Sequence, residues 1–442
     1  MDTAVQGVLS HTQLLPCELL TEIFLHYHKV VEHSYPIPKL PPPLLLGQIC
    51  STWRHVVHGT PKLWTKFLLQ IRNKVERGTV DHVSFAKAWL SRAHPHPLHV
   101  YLLIETPIAL GRIVDAILPF ADRLQVMDLC LPFQNFQPLV DVGSMALLES
   151  VNLSADVTRP HVVQEPALWV RRITTFMAAP RLRKVTIFAT GEGLFCSGLQ
   201  VPWSQLIELC IAEFSSSADT SRDATLQCTH LVDCTISMVA WEGEEFIPDV
   251  PIVVLPHFQK LDITFTGPGD SFPFFQPLIL PALKSLTITL TGQCTWSHQD
   301  FMEFALRSSL DLEHLSLQLV PIHPHELLQI LTRTQSLIEL GIASESLYID
   351  TTLFDALFYR EMDGQHLLPK LECFRIFEGW GGDVVDDSIA SMVESRWWTD
   401  DAPHKVLRLK RVDLIYFTEI CDSRLWERLE RCSREGLTLF LD

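Results

Sequence analysis

No stretch of the 442 residues matches the 18 or more consecutive apolar residues that a membrane-spanning helix takes. The longest candidate, Tyr101 to Phe120, is broken by Glu105, Arg112 and Asp115. The amino terminus carries Asp2 where a secretory leader carries basic residues. The expectation is an intracellular protein, cytoplasmic or nuclear, without a membrane partner. The eleven cysteines stand singly, with no Cys-x-x-Cys pair. That argues against a disulfide framework and against a zinc ribbon. Phosphate-binding glycine loops are lacking too: Gly191-Glu192-Gly193 and Gly267-Pro268-Gly269 have no third glycine and no Walker lysine. There is no Gly-x-Ser-x-Gly elbow and no kinase set.

Histidines cluster at His26 and His28, at His94, His96 and His99, and at His323 and His325. The prolines between them make loops with no completing ligands, whereas a metal needs about four converging donors. Cys228-x-His230-x-x-x-Cys234 fails for another reason, because Cys234 falls on an apolar core position. These absences point to a non-catalytic protein with no cofactor and no metal. Positive charge is scarce as well. The net charge is −17, and although residues 1–100 balance at +4, the remainder carries −21. A body this acidic lacks the basic footprint that nucleic acid requires. The basic head and acidic body suit different partners.

What the chain does have is apolar residues, 47% of the total, ample for a large core. Near the start, Leu19, Leu20, Ile23, Phe24 and Tyr27 recur at three- and four-residue steps behind Pro16, the pattern of an amphipathic helix. The stretch 33–43, with Pro36, Pro38, Pro41, Pro42 and Pro43, must then be loop. A second helical run begins near Leu44, presents Leu45, Ile49, Trp53, Val56 and Val57 on one side, and stops at Gly59-Thr60-Pro61, before Leu63-Trp64.

The order Leu15-Pro16-x-Glu18-Leu19-Leu20-x-x-Ile23-Phe24, then Cys50-x-x-Trp53-Arg54, then Pro61-x-Leu63-Trp64 resembles the F-box, in the form with a longer inter-helix link that is familiar from fungal F-box-like proteins. The resemblance implies a three-helix domain over 10–68 that binds an SKP-type adaptor protein and, through it, a cullin scaffold. It implies adaptor-binding residues Leu15, Pro16, Leu19, Leu20, Ile23, Phe24, Leu45, Ile49, Cys50, Trp53, Val56, Leu63 and Trp64. A helical linker is expected over 69–97.

Behind it a unit of Leu-x-x-Leu-x-Leu type, with other apolar residues substituting, occurs twelve times. The copies start at Leu98, Leu124, Leu148, Leu182, Leu206, Leu231, Phe258, Leu283, Leu312, Leu337, Leu371 and Leu409. The last two apolar positions alternate as in a strand with one buried face. Helical runs lie between copies, at Ile113 to Phe120, after Ser297, at Glu326 to Leu331 and at Ile389 to Val393. Start-to-start spacing is mostly 24–29 residues, close to the roughly 20–29 of leucine-rich repeats, which the pattern resembles. The regular family places Asn or Cys after the last motif leucine; here Thr190, Thr266 and Thr291 stand at some such positions, and Pro132, Phe214 and Phe417 at others. The expected fold is therefore an α+β arrangement, a helical head followed over 98–442 by a divergent α/β solenoid of about twelve units. Its parallel sheet would lie on the concave face, and the helix Arg424 to Cys432 with the strand Leu437 to Leu441 would cap it.

The residue between the last two apolar positions should face outward. Down the copies these are Asp128, Asn152, Thr186, Cys210, Thr235, Asp262, Thr287, Ser316, Gly341, Arg375 and Asp413. The polar members Asp128, Asn152, Thr186, Asp262, Thr287, Ser316, Arg375 and Asp413 are the candidate surface for a protein client. The expected function is the client-recognition subunit of an SKP–cullin–F-box ubiquitin ligase. The alternative is a repeat scaffold with no ubiquitin role, in which the Leu19, Ile23 and Phe24 face packs inward as a cap.

Overall fold

All twelve apolar motifs lead into strands, and the first residue of each is at most 1% exposed. The structure, a computed structural model, describes residues 15–32, 40–71, 81–104, 111–156, 173–190, 199–213, 218–242, 251–343, 351–362, 365–377, 383–399, 404–415 and 423–441. The fold is α/β, with open and mostly parallel sheets. The chain divides into two compact units, Met1–Thr186 with Gly198–Pro202, and Ile187–Ser197 with Trp203–Asp442. The boundary thus falls near 186, where the sequence suggested divisions at 68 and 97.

In the first unit, α1 (Cys17–Glu32) packs with α2 (Pro42–Gly47) and α3 (Ser51–His58), and a 3-10 turn, Pro61–Trp64, closes the head. The single helical run expected from Leu44 is broken in two. Cys50 is extended (φ −156°, ψ 172°), and its sulfur accepts the Trp53 N–H at 3.5 Å, so it stops α2 from continuing and caps α3. Of the proline-rich loop, 33–39 lie outside the described residues, while Pro42 begins α2, where a missing N–H costs nothing.

Among its described residues, the expected helical linker is helical over α4 (His82–Arg92) alone. Ahead of it, Lys66–Ile71 forms β1, with Phe67, Leu69 and Ile71 buried and Leu68 exposed. β1, β2 (Leu98–Ile104), β3 (Leu124–Leu131) and β4 (Ser150–Asp156) are parallel neighbours in chain order. α5 (Gly111–Ile117) lies between β2 and β3, and the unit boundary falls inside β5 (Lys184–Thr190).

The second unit's strands are β6 (Glu208–Glu213), β7 (Asp233–Val239), β8 (Val253–Val254), β9 (Lys260–Thr266), β10 (Gly269–Asp270), β11 (Leu278–Ile279), β12 (Ser285–Leu290), β13 (Cys294–Thr295), β14 (His314–Gln318), β15 (Glu339–Ala343), β16 (Cys373–Phe377), β17 (Arg411–Ile415) and β18 (Thr438–Leu441). β6, β7, β9, β12 and β14 to β18 are parallel neighbours in that order, and the short β8 pairs with β11 and β10 with β13. Its helices are α6 (Ala218–Gln227), α7 (His298–Ser308), α8 (Pro324–Arg333), α9 (Thr351–Leu357), α10 (Asp383–Ser395) and α11 (Ser423–Arg434). Ser297 caps α7 by accepting the Asp300 N–H at 3.3 Å.

Threonine does the turn work expected of asparagine. Thr266 Oγ1 donates to Met238 O at 3.2 Å and Thr291 Oγ1 to Phe265 O at 3.1 Å, each reaching the preceding strand. The glycines that follow, Gly267 and Gly292, share φ near 78°. A Cβ on Gly292 would come within 3.0 Å of Gly267 N, so successive turns stack without room for a side chain. Among the described residues no helix is long and apolar enough to cross a membrane.

Candidate functional site

α1 carries two adjacent apolar stripes, and the structure separates them. Leu20 and Phe24 are each 1% exposed, while Leu19 and Ile23, one residue earlier on the helix, are 52% and 49% exposed. A helix with one buried face needs a single apolar stripe; the second is left about half exposed. Leu45 on α2 and Ile49 just beyond it are also exposed, at 38% and 57%. Of the other residues assigned to adaptor binding, Pro16 is exposed and Leu15, Cys50 and Trp53 are half-buried.

Leu20, Phe24, Val56, Leu63 and Trp64 are sealed in the head's own core, so they hold the surface up and do not form it. The physical reason is packing within the first unit. Phe24 and Trp53 rings meet at 4.8 Å, and Trp64 Nε1 donates to Val57 O at 2.9 Å. Trp89 of α4 stands 4.7 Å from Trp64, and the Arg92 guanidinium lies 4.8 Å over the same ring.

The Cys-x-x-Trp-Arg unit acquires a structural meaning residue by residue. Cys50 caps α3, Trp53 packs on Phe24, and Arg54 Nε donates to Gly47 O at 2.8 Å, satisfying an end carbonyl of α2. Burial, followed by the Arg92 and Arg54 charges, lowers the pKa of His58 beside this core.

On the sheets, the outward residues fall in register. Asp128 pairs with Asn152 in the first unit. In the second, one row runs Cys210, Thr235, Asp262, Thr287, Ser316, Gly341, Arg375 and Asp413. Thr186 is half-buried on β5. Asp413 corrects the expectation of an exposed ladder: its side chain is 2% exposed because two guanidinium groups cover it. Arg375 Nε lies 2.9 Å from Asp413, Arg411 Nε lies 2.6 Å from its other oxygen, and Arg375 Nη1 also holds Glu339 at 2.6 Å. His314 Nδ1 reaches Glu339 at 3.2 Å. This end of the face is an ion lattice whose carboxylates and guanidinium groups are already engaged.

The two other row acids differ. Burial raises the pKa of Asp128, against an opposing hydrogen bond from Asn152. Burial likewise raises that of Asp262, with the neighbouring Lys260 charge opposing and Asp233 adding to the rise.

Pattern reasoning passed over Arg396, which is 1% exposed and donates to the carbonyls of Leu357, Leu367 and Leu368 at 2.6, 2.5 and 2.9 Å. An arginine directly after the helical run that ends at Ser395 was the available signal. Among the described residues no group of three His, Cys, Asp or Glu side chains could hold a metal. No protein-family model matches the chain, and no curated protein matches it.

Proposed function

We propose that this chain is a non-catalytic recognition subunit of an SKP–cullin–F-box ubiquitin ligase. The head docks on the adaptor through the uncovered stripe of Leu19 and Ile23, joined by Leu45 and Ile49. The strand-and-helix repeats behind it are a divergent leucine-rich-repeat solenoid whose outward sheet face holds a protein client. Ubiquitin transfer is carried out by other subunits. The contribution of this chain is proximity, holding client lysines near a charged enzyme so that a bimolecular encounter becomes effectively intramolecular.

One observation carries the proposal: apolar side chains at F-box-like positions on α1 remain about half exposed although the helix already buries a full stripe. Leu19 and Ile23, four residues apart, adjoin on the helix, and adjoining exposed apolar side chains support a partner surface. Of the Leu19, Ile23 and Phe24 face that the scaffold alternative would turn inward, Phe24 is buried while Leu19 and Ile23 stay about half exposed, which favours the adaptor reading.

The test is co-expression of the full chain with an SKP-type adaptor. The wild type is expected to co-purify with it. The Leu19→Asp and Ile23→Asp pair is expected to lose the adaptor while the chain stays folded, because both sites already meet water. A folded wild type that fails to retain the adaptor overturns the proposal.

A further inference from the structure

The outward face of the second unit's sheet is electrostatically uneven. On β15 to β17 every outward carboxylate is held: Glu339 by Arg375, and Asp413 by Arg375 and Arg411. On β6, β7, β9 and β12 the outward charges are three carboxylates, Glu208, Asp233 and Asp262, against one ammonium, Lys260. That ammonium is ion-paired 3.3 Å from Asp233, and only its charge, with no direct contact, acts on Asp262.

Asp262 is left without an ion pair or a hydrogen bond among the described residues. Its cross-strand neighbours are Thr235 and Thr287, short side chains on either side of the half-buried carboxylate. Thr264 and Thr289 continue the low hydroxyl platform on the next row. A flat face of short side chains admits an extended main chain, and an unpaired carboxylate within it selects a cation.

We propose that this part of the sheet takes an extended, basic segment of the client, with a lysine or arginine side chain paired to Asp262. The proposal rests on the client-receptor reading of the repeats and adds the chemical class of what they hold. Arg375 and Asp413, already spent on each other, lie outside the contact. Burial raises the pKa of Asp262 in the free protein, a cost that an incoming cation would reverse.

The probes are four fluorescein-labelled 12-residue Gly/Ser peptides carrying two Arg, two Lys, two Gln or two Glu at alternate central positions, titrated into the full chain by anisotropy. The Arg and Lys peptides are expected to bind at least tenfold more tightly than the Gln and Glu peptides. Asp262→Asn should weaken the basic peptides about tenfold, the scale of one charge-assisted contact, while Glu303→Gln on α7 leaves them unchanged. Equal affinity for all four peptides, no binding by any, or a preference that survives Asp262→Asn overturns the inference. Asp262→Asn should still capture the adaptor, so a failure at the sheet is distinguishable from a failure at the head.

Discussion

The two stripes of α1 make opposite demands on stability, and truncating each in turn exposes the difference. Phe24 is 1% exposed and meets Trp53 at 4.8 Å. Phe24→Ala therefore costs about 3–5 kcal/mol, combining lost transfer energy with the cavity left behind. Leu19 and Ile23 keep about half of their surface in water. Truncating them forfeits about half of the roughly 1.5–3 kcal/mol that full burial of such a side chain supplies, and alanine's helix propensity returns a few tenths. The pair Leu19→Ala with Ile23→Ala should cost about 1–2 kcal/mol, less than Phe24→Ala alone. Amide hydrogen exchange resolved to α1 and α3 is the suitable assay. It reads local opening free energy, and a chain of two compact units need not unfold in one step. A double truncation as costly as Phe24→Ala would refute the reasoning, since it would mean that these side chains are already packed.

Substitutions at two further positions test the repeats. Arg396→Met removes three hydrogen bonds to main-chain carbonyls, of which Leu368 O keeps another donor, the Leu371 N–H, and should lower stability by about 3 kcal/mol in a thermal melt; Arg396→Lys should recover part of this, lacking the planar fork. Burial lowers the Arg396 pKa to about 10, so it is charged at neutral pH and the loss should appear there in full. Asp128 has a folded-state pKa raised above its unfolded value near 3.8. The folded state therefore binds more protons across that window, and stability falls as pH rises through it. Asp128→Asn should melt higher than the wild type at pH 7, and the advantage should vanish below about pH 4; a variant that is less stable at pH 7 contradicts the assignment.

The repeat strands were legible because a leucine three residues ahead of an alternating apolar pair marks a buried turn followed by a one-sided strand. All twelve such leads are buried. β1 escaped because its copy, Trp64-x-x-Phe67-x-Leu69, begins with tryptophan and overlaps the end of the head motif. The head's helices were legible by period, but period cannot say which of two adjacent apolar stripes is covered. Leu19 and Leu20 look alike in sequence and differ in the fold because Phe24, Trp53 and Trp64 build the core on one side. The break at Cys50 was hidden for a similar reason, since a sulfur cap is a weaker signal than serine or aspartate. Asp413 was placed correctly on the outward row, yet its cover comes from Arg375, 38 residues away in sequence and adjacent once the strands are in register.

The most direct measurement is a calorimetric titration of the full chain with an SKP-type adaptor at several temperatures. Saturation at one adaptor per chain is expected, with a negative heat-capacity change from burial of the Leu19 and Ile23 stripe, and Ile23→Asp should abolish the heat. The absence of binding heat at every temperature, or binding that Ile23→Asp leaves intact, would contradict the assignment of the head as an adaptor-docking surface.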